Sequence, residues 1–288
     1  MSLVIKRIIL ILVASVLLIS ANLFESNHDT YAKEEISKYG KNSALALNYH
    51  RVRNGGFFEN FLNIFSNSRE LSTYSLTKKE FEDQIKWLTS KKVHFLTEEE
   101  VIKYKKAGKF PKRSVWISFD DMDQSIYKNA YPILKKYNIP ATGFIITGKV
   151  GQKDFHNLNM ATLKQLKEMN ASGLWTFYSH TDNLHSIKNN VSQMLATEDD
   201  KKLTADIKKS NPYLKKHFNS QANPLAYPYG QVNDNKIKAI KKAGIKYGYT
   251  LEEKPIRPND DDYYIPRILI SENTFHQVVQ KWKGFKDG

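Results

Sequence analysis

The chain has 288 residues and a formal net charge of +14, from 44 Lys and Arg against 30 Asp and Glu. Hydrophobic residues make up 41% of it, and with only 13 Gly and 9 Pro it is not disordered over most of its length. Because there is no cysteine, disulfide scaffolds, cysteine zinc sites and thiol nucleophiles are excluded.

The N-terminus has the pattern of an export signal. Lys6 and Arg7 precede an apolar run from Ile8 to Leu23. A membrane-spanning helix needs about 20 apolar residues, so this run is short for one. We therefore predict a secretory signal, with an uncleaved N-terminal anchor as the alternative.

Two small-residue cleavage sites are open, one after Ala21 and one after Ala32. We predict a signal peptide over residues 1–32, a linker over 33–42 and one folded domain over 43–288. On either reading of the signal, the folded domain is expected outside the cytoplasm.

Beyond the signal, short β-rich runs alternate with helices. The predicted strands are Ser43–Tyr49, Val93–Leu96, Ser114–Phe119, Ala141–Ile146, Leu174–Ser179, Leu225–Tyr227, Ile245–Thr250 and Ile265–Ile270. The predicted helices begin at the capping boxes Thr77-x-x-Glu80 and Thr97-x-x-Glu100, then cover Ile126–Tyr137, Ala161–Met169 and Thr197–Phe218, and begin again at Asn233 or Asp234 and near Phe275. This alternation predicts a parallel sheet in one closed or nearly closed α/β barrel.

One segment, Asn54–Arg69, breaks the alternation. It carries four Phe between a Gly-Gly and a Ser-Asn pair. A mobile lid, a surface-docking loop and a plain helix packed on the barrel all remain open for it.

Polar side chains follow four of the predicted strands, at the end where such barrels carry their catalytic residues. They are His50 after the first strand, Asp120 and Asp121 after the third, His180 and His185 after the fifth, and Tyr229 after the sixth. Two His and one carboxylate can hold a metal with open positions, which suits zinc hydrolysis and also non-haem iron oxygenation. A second carboxylate, as base for a metal-bound water, favours hydrolysis.

Three of these motifs together resemble the carbohydrate esterase family 4 polysaccharide deacetylases. They are Ser118-Phe119-Asp120-Asp121, the His180…His185 pair and Tyr227-Pro228-Tyr229-Gly230. The resemblance implies a distorted (β/α)7 barrel of the NodB-like kind, with a circularly permuted motif order. It also implies a divalent metal, zinc first and nickel or cobalt as alternatives, and removal of acetyl groups from N-acetylglucosamine units.

The same resemblance implies a role for each motif residue. Asp121, His180 and His185 would hold the metal, and Asp120 would be the general base. The backbone N–H of Tyr229 would stabilise the oxyanion together with the metal.

The sequence departs from the common family pattern in two places. Ala226 stands where most members have Arg, and Leu269-Ile270-Ser271 lacks the usual late catalytic His. Similarity to a permuted subgroup makes His50 the expected acid, whose imidazolium must then persist near neutral pH beside a carboxylate. For orienting Asp120, Arg267 is the candidate, and a structural ion pair on the barrel rim is the alternative.

Similarity to that subgroup implies the exopolysaccharide poly-β-1,6-N-acetyl-D-glucosamine as substrate, and hence a role in biofilm adhesion. Peptidoglycan or chitin is the alternative substrate, and a non-catalytic surface glycan-binding protein is the alternative class. Removing residues 1–32 leaves the charge at +14, so we expect a secreted monomer that stays attached to an anionic cell surface. The lysines form no block with interleaved aromatics, so nucleic acid is not an expected partner.

Overall fold

The computed structural model describes residues 36, 38–55, 75–220 and 223–286. The predicted signal peptide and most of the Phe-rich segment lie outside these ranges, so those predictions stay untested. Within the described ranges, no helix combines the length and apolar character needed to cross a membrane.

The described residues alternate between strands and helices, as predicted. The strands are β1 Ala44–Tyr49, β2 Arg51–Arg53, β3 Ser75–Thr77, β4 His94–Leu96, β5 Ser114–Phe119, β6 Ala141–Ile145, β7 Trp175–Ser179, β8 Ile187–Lys188, β9 Val191–Ser192, β10 Pro224–Ala226, β11 Tyr247–Tyr249 and β12 Ile268–Leu269. The α-helices are α1 Lys78–Ser90, α2 Glu98–Lys106, α3 Tyr131–Lys136, α4 Leu163–Ala171, α5 Gln193–Ala196, α6 Asp200–Phe218, α7 Asp234–Lys242 and α8 Glu272–Gln277. A π-helical turn covers Ile126–Ala130, and 3₁₀ turns cover Thr147–Lys149, Pro228–Gly230, Val279–Lys281 and Lys283–Phe285.

The main sheet is parallel and curls into a barrel. Its strand order is β11-β10-β7-β6-β5-β1-β12, with β4 beside the first half of β5. Near the two edges, the Thr250 N–H donates to Ile265 O (2.9 Å) and the Ile265 N–H donates to Gly248 O (3.0 Å), just before β12. These bonds bring the edges together, and the predicted distorted (β/α)7 barrel is confirmed.

Aromatic side chains fill the interior of the barrel. Trp116, Phe144, Tyr178 and Tyr249 belong to one buried cluster, and their side chains come from four different strands. The guanidinium of Arg267 lies on top of this cluster, with its carbon 4.9 Å from the centre of the Phe144 ring. The apolar interior therefore ends at a buried cation, directly below the carboxyl ends of the strands.

Local sequence signals account for most helix boundaries. Both predicted capping boxes form, with the Thr77 and Thr97 side chains accepting from the backbone N–H three residues later. The predicted helix Thr197–Phe218 is wrong at its start, because the N-cap is Asp199, whose side chain accepts from Lys201 N. The short strands β2, β3, β8 and β9 were not predicted, because runs of two or three residues show no usable periodicity.

Candidate active site

A cavity opens at the carboxyl ends of the parallel strands, and five of the seven predicted site residues line it. It is lined by His50, Arg51, Asp121, Phe155, His156, Leu158, His180, His185, Tyr229, Leu251 and Leu269. Asp120 and Arg267 are buried immediately beside this wall. The four motifs that are separated in the sequence therefore meet in one place.

Three ligand atoms come together at the base of the cavity. Asp121 Oδ1 lies 3.1 Å from His185 Nε2 and 3.6 Å from His180 Nε2, and the two Nε2 atoms are 3.1 Å apart. Ligands about 2.0–2.2 Å from a tetrahedral metal would be separated by about 3.3–3.6 Å. The spacing of the three atoms thus fits a divalent ion.

The protonation of His180 supports the same assignment. Its Nδ1 lies 2.8 Å from the carbonyl oxygen of Ala226, which can only accept, so Nδ1 carries the hydrogen and Nε2 has the lone pair. Burial lowers the pKa of His180 to about 4, so the ring is neutral at neutral pH. Burial alone would raise the pKa of Asp121, but the charge and hydrogen bond of His185 hold it well below its usual value. An ionised carboxylate and a neutral imidazole are the forms that bind metals.

The backbone bends sharply to aim these ligands. Asp121 and Met122 both have φ of 63°, in the left-handed region that non-glycine residues seldom adopt, and Thr181 has φ of 72°. The bend after β5 is held by the Met122 N–H, which donates to Asp120 O (2.7 Å), and by the Ala161 N–H, which donates to Met122 O (2.9 Å). Strain of this kind persists where the surroundings fix it, and it concentrates at functional sites.

Helix α6 fixes the loop between the two histidines. The Asp206 carboxylate accepts from the backbone N–H groups of Asp182 (2.8 Å) and Asn183 (2.9 Å). Lys209 from the same helix pairs with the Asp182 carboxylate at 2.8 Å, and Thr147 donates to it at 2.9 Å. Nothing in the sequence distinguishes Asp206 and Lys209, since they lie in a lysine-rich helix that resembles an ordinary solvated face.

Gly148 packs closely against the same loop. A Cβ placed on Gly148 would lie 2.6 Å from Asn183 Nδ2 and 2.7 Å from Asp182 O, so only glycine fits there. The loop that carries His185 is therefore held both by α6 and by the turn at Gly148.

Asp120 and Arg267 form a bidentate pair beside the three ligand atoms. Arg267 Nη1 lies 2.7 Å from Asp120 Oδ1 and Nη2 lies 2.9 Å from Oδ2, and both side chains are almost completely buried. Burial alone would raise the pKa of Asp120, but the Arg267 charge, with His180, brings it below its usual value. Asp120 is thus ionised at neutral pH, and its Oδ2 lies 3.9 Å from His180 Nε2.

His50 lies on the cavity wall at the end of β1, in agreement with its predicted position. Burial lowers its pKa, and the carboxylates of Asp120 and Asp121 oppose this effect without reversing it. This differs from the expectation of an imidazolium that persists near neutral pH. The reason is that the first strand lies within the buried wall, so desolvation exceeds the attraction of the two carboxylates.

Arg51 is a site residue that no sequence motif indicated. Its Nη2 lies 3.7 Å from Asp121 Oδ2, and only 9% of its side chain is exposed. Its neighbour His50 was singled out because it follows a predicted strand, but an Arg in the next position matches no motif. It adds a second cation beside the two adjacent carboxylates.

Tyr229 and three leucines complete the cavity. Tyr229 has φ of 59°, in a turn closed by the Gly230 N–H donating to Tyr227 O at 2.8 Å. Its ring lies 5.1 Å from the ring of His185. Leu158, Leu251 and Leu269 supply an apolar surface beside the polar cluster. The site thus combines a cluster able to hold a metal, an ionised carboxylate, an imidazole and a small apolar wall.

The sequence resembles known proteins along nearly its whole length. The family model described as polysaccharide deacetylase matches residues 107–248. A poly-beta-1,6-N-acetyl-D-glucosamine N-deacetylase of Staphylococcus aureus is 52% identical over 285 residues, which cover 98% of each chain. One of the same name from Staphylococcus epidermidis is 51% identical over 277 residues, covering 95% of this chain and 96% of that one.

Solved structures give the same result at the level of the fold. The structure of IcaB from Ammonifex degensii matches with a TM-score of 0.72 and 29% identity, covering 84% of this chain and 97% of that one. The deacetylase PplD of Streptococcus pyogenes, solved in complex with acetate, matches with a TM-score of 0.69 and 27% identity, covering 84% and 99%.

Proposed function

We propose that this chain, which belongs to the polysaccharide deacetylase family, removes N-acetyl groups from poly-β-1,6-N-acetyl-D-glucosamine. A divalent metal would assist the reaction. The observation that carries the proposal is the juxtaposition of the Asp121, His180 and His185 ligand atoms with the ionised carboxylate of Asp120. The substrate is taken from the names of the two relatives, whose sequences are 52% and 51% identical to this one over almost the full chain.

Each polar group of the cavity then has a task in hydrolysing an acetamide. A divalent metal bound by Asp121, His180 and His185, with zinc as our first choice, would polarise the acetyl carbonyl and lower the pKa of a water molecule. Asp120 accepts a proton from the attacking water, and Arg267 keeps that carboxylate ionised and oriented. The backbone N–H of Tyr229 donates to the oxyanion that forms on the carbonyl oxygen. Acetate leaves, and the sugar keeps a free amine.

The leaving nitrogen needs a proton, and His50 is the group that we assign to deliver it. Because burial lowers the pKa of His50, its ring is not charged in advance and must gain the proton during the reaction. Asp120, buried beside the same wall, is the group that has just accepted one. The leucines beside the cluster would accommodate the acetyl methyl group, whereas the sugar chain lies across the mouth.

Replacing His50 by Ala should impair the amide reaction more than the reaction of an activated ester. An amine is a poor leaving group without a proton, and general acid catalysis contributes about 10²–10⁴-fold. We expect that loss in kcat for the acetylated oligosaccharide, with little change in KM, and a much smaller loss for 4-nitrophenyl acetate. His94→Ala, at an exposed histidine on β4, is the matched control. Equal losses on both substrates would show that His50 has only a structural role.

Acetate release from defined oligomers tests the proposed function directly. We expect β-1,6-linked N-acetylglucosamine oligomers to be deacetylated and β-1,4-linked oligomers of equal length to be poor substrates. A chelator should abolish the activity, and added zinc, cobalt or nickel should restore it. Preference for the β-1,4 linkage would favour a peptidoglycan or chitin substrate, and activity that survives exhaustive chelation would contradict the metal.

We also propose that the enzyme works outside the cell, where its polymer is found, and supports adhesion in biofilms. The basic region before the apolar run Ile8–Leu23 and the net charge of +14 support export and attachment to an anionic surface. Recovery of the chain from the cytoplasm alone would contradict this. The product amine is cationic, so deacetylation would also help the polymer to hold to anionic surfaces.

A further inference from the structure

At the opposite end of the barrel from the cavity lies a second concave surface, which we term the basal groove. It is lined by residues 40–43, 108–113, 284 and 286 and has a volume of about 800 Å³. These residues precede β1, precede β5, or lie in and just after the last 3₁₀ turn, so the groove lies at the amino ends of β1 and β5. The mouth of the active site lies at their carboxyl ends.

The charge of the basal groove is entirely positive among the described residues that line it. Lys41, Lys109, Lys112, Arg113 and Lys286 contribute cations, and no Asp or Glu belongs to the lining. Within the described part of the chain, none of the five forms an ion pair with a carboxylate. Other lysines do, since Lys79 pairs with Asp83 and Lys136 with Glu82. A cluster of unneutralised cations creates a strong local positive potential.

The walls of the basal groove are held together by hydrogen bonds of Asn42 and Trp282. The cationic side chains that would bind a ligand take no part in these bonds. Asn42 donates through Nδ2 to Gly108 O (2.9 Å) and accepts through Oδ1 from Phe110 N (2.9 Å). Trp282 Nε1 donates to Tyr39 O at 3.0 Å and fixes the entering chain. The lysines therefore stand on a rigid frame, which reduces the entropy lost on binding.

We propose that the basal groove binds a linear polyanion of repeating phosphodiesters at the cell surface. A concave groove accommodates a polymer chain, whereas a flat bilayer can reach only its rims. The deacetylated product is excluded as the occupant, because its amines are cationic. Lysines together with an arginine suit phosphate groups, with arginine presenting its planar fork of donors.

Such an occupant would leave the active site open. The six residues of β1 lead from the groove to the mouth, a distance of about 20 Å at 3.3 Å per residue. When the basal groove holds a polyanion, the mouth of the active site faces away from that polyanion and stays accessible to the polysaccharide. This inference concerns binding alone and does not depend on the proposed activity.

The test measures binding of the full chain, in non-ionic detergent, to poly(glycerol phosphate) as a function of salt. The variant Lys41→Gln/Lys109→Gln/Lys112→Gln removes three exposed cations of the groove. The control Lys128→Gln/Lys164→Gln/Lys216→Gln removes the same charge from exposed positions on other faces. We expect the groove variant to bind at least about tenfold more weakly at 0.1 M salt and with a shallower salt dependence, because fewer counterions are released.

Acetate release should be unchanged in the groove variant, and binding should be unchanged in Asp121→Ala, so failure of the proposed activity is distinguishable from failure of this proposal. Equal weakening in the two lysine variants would overturn it in favour of general surface charge. Tighter binding to phosphatidylglycerol vesicles, or equal binding to polyglutamate, would overturn the assignment to a phosphodiester polymer.

Discussion

Replacing any one of Asp121, His180 and His185 by Ala should abolish both metal binding and turnover. The three ligand atoms lie within 4.8 Å of one another and belong to buried side chains, so no neighbouring group can take the place of a lost one without rearrangement. A bound metal lowers the pKa of water from about 15.7 to about 7, and its loss should reduce kcat by more than about 1000-fold. Elemental analysis and acetate release measure the two effects.

Thermal unfolding gives a readout that does not depend on activity. A metal that binds only the folded chain stabilises it by about 4 kcal/mol when its concentration is 1000 times the Kd. Added zinc should therefore raise the Tm of the wild type and of the His94→Ala control, and leave the Tm of the three ligand variants unchanged. In chelator the response to zinc should disappear in all of these proteins, and any difference in Tm that remains reports the loss of the contact between Asp121 and His185. Stoichiometric metal in a His180→Ala/His185→Ala variant would refute the assignment.

Replacing Asp120 by Asn should leave the metal in place and remove most of the turnover. A positioned general base contributes about 10²–10⁴-fold, and an amide side chain cannot accept the proton of the attacking water. We expect this loss in kcat, with near-stoichiometric zinc by elemental analysis. Rates close to wild type in the zinc-loaded variant would place the base elsewhere.

The same substitution should also lower stability, because it leaves the guanidinium of Arg267 buried without a counter-charge. Breaking a buried ion pair on one side costs about 3–5 kcal/mol. Arg267→Lys is the informative companion, since it keeps the charge beside Asp120 but loses the bidentate geometry. We expect it to retain metal and KM and to lose part of kcat, as a positioning residue would. Unchanged kcat in Arg267→Lys would reduce the pair to a structural role.

The sequence predicted the parts of the site that follow a β-rich run directly. Asp120 and Asp121 after β5, and His180 after β7, lie where the parallel strands end, and the topology then brings them together. Ala226 also proved informative. Where the family usually has an Arg, the cation instead comes from Arg267, directly before β12, and it lies against the Asp120 carboxylate.

Contacts between distant elements could not be predicted. Asp206 and Lys209 hold the histidine loop through the fold of α6, and nothing in their own neighbourhood distinguishes them from other charged helix residues. The direction of the His50 pKa shift could not be predicted for a related reason. The nearby carboxylates were predicted, but the burial of the His50 ring depends on how all the segments around the cavity pack together.

The pairing of Asp120 with Arg267 also sets an order of events during synthesis. The two residues are 147 positions apart, and β12, which follows Arg267 directly, pairs with β1 at Leu47 and Ile268. A chain is made from its N-terminus, so the residues that hold the metal are complete long before the base receives its cation. Contacts this far apart in sequence form late and slowly. The general base is therefore fully positioned only once β12 has paired with β1 and closed the barrel.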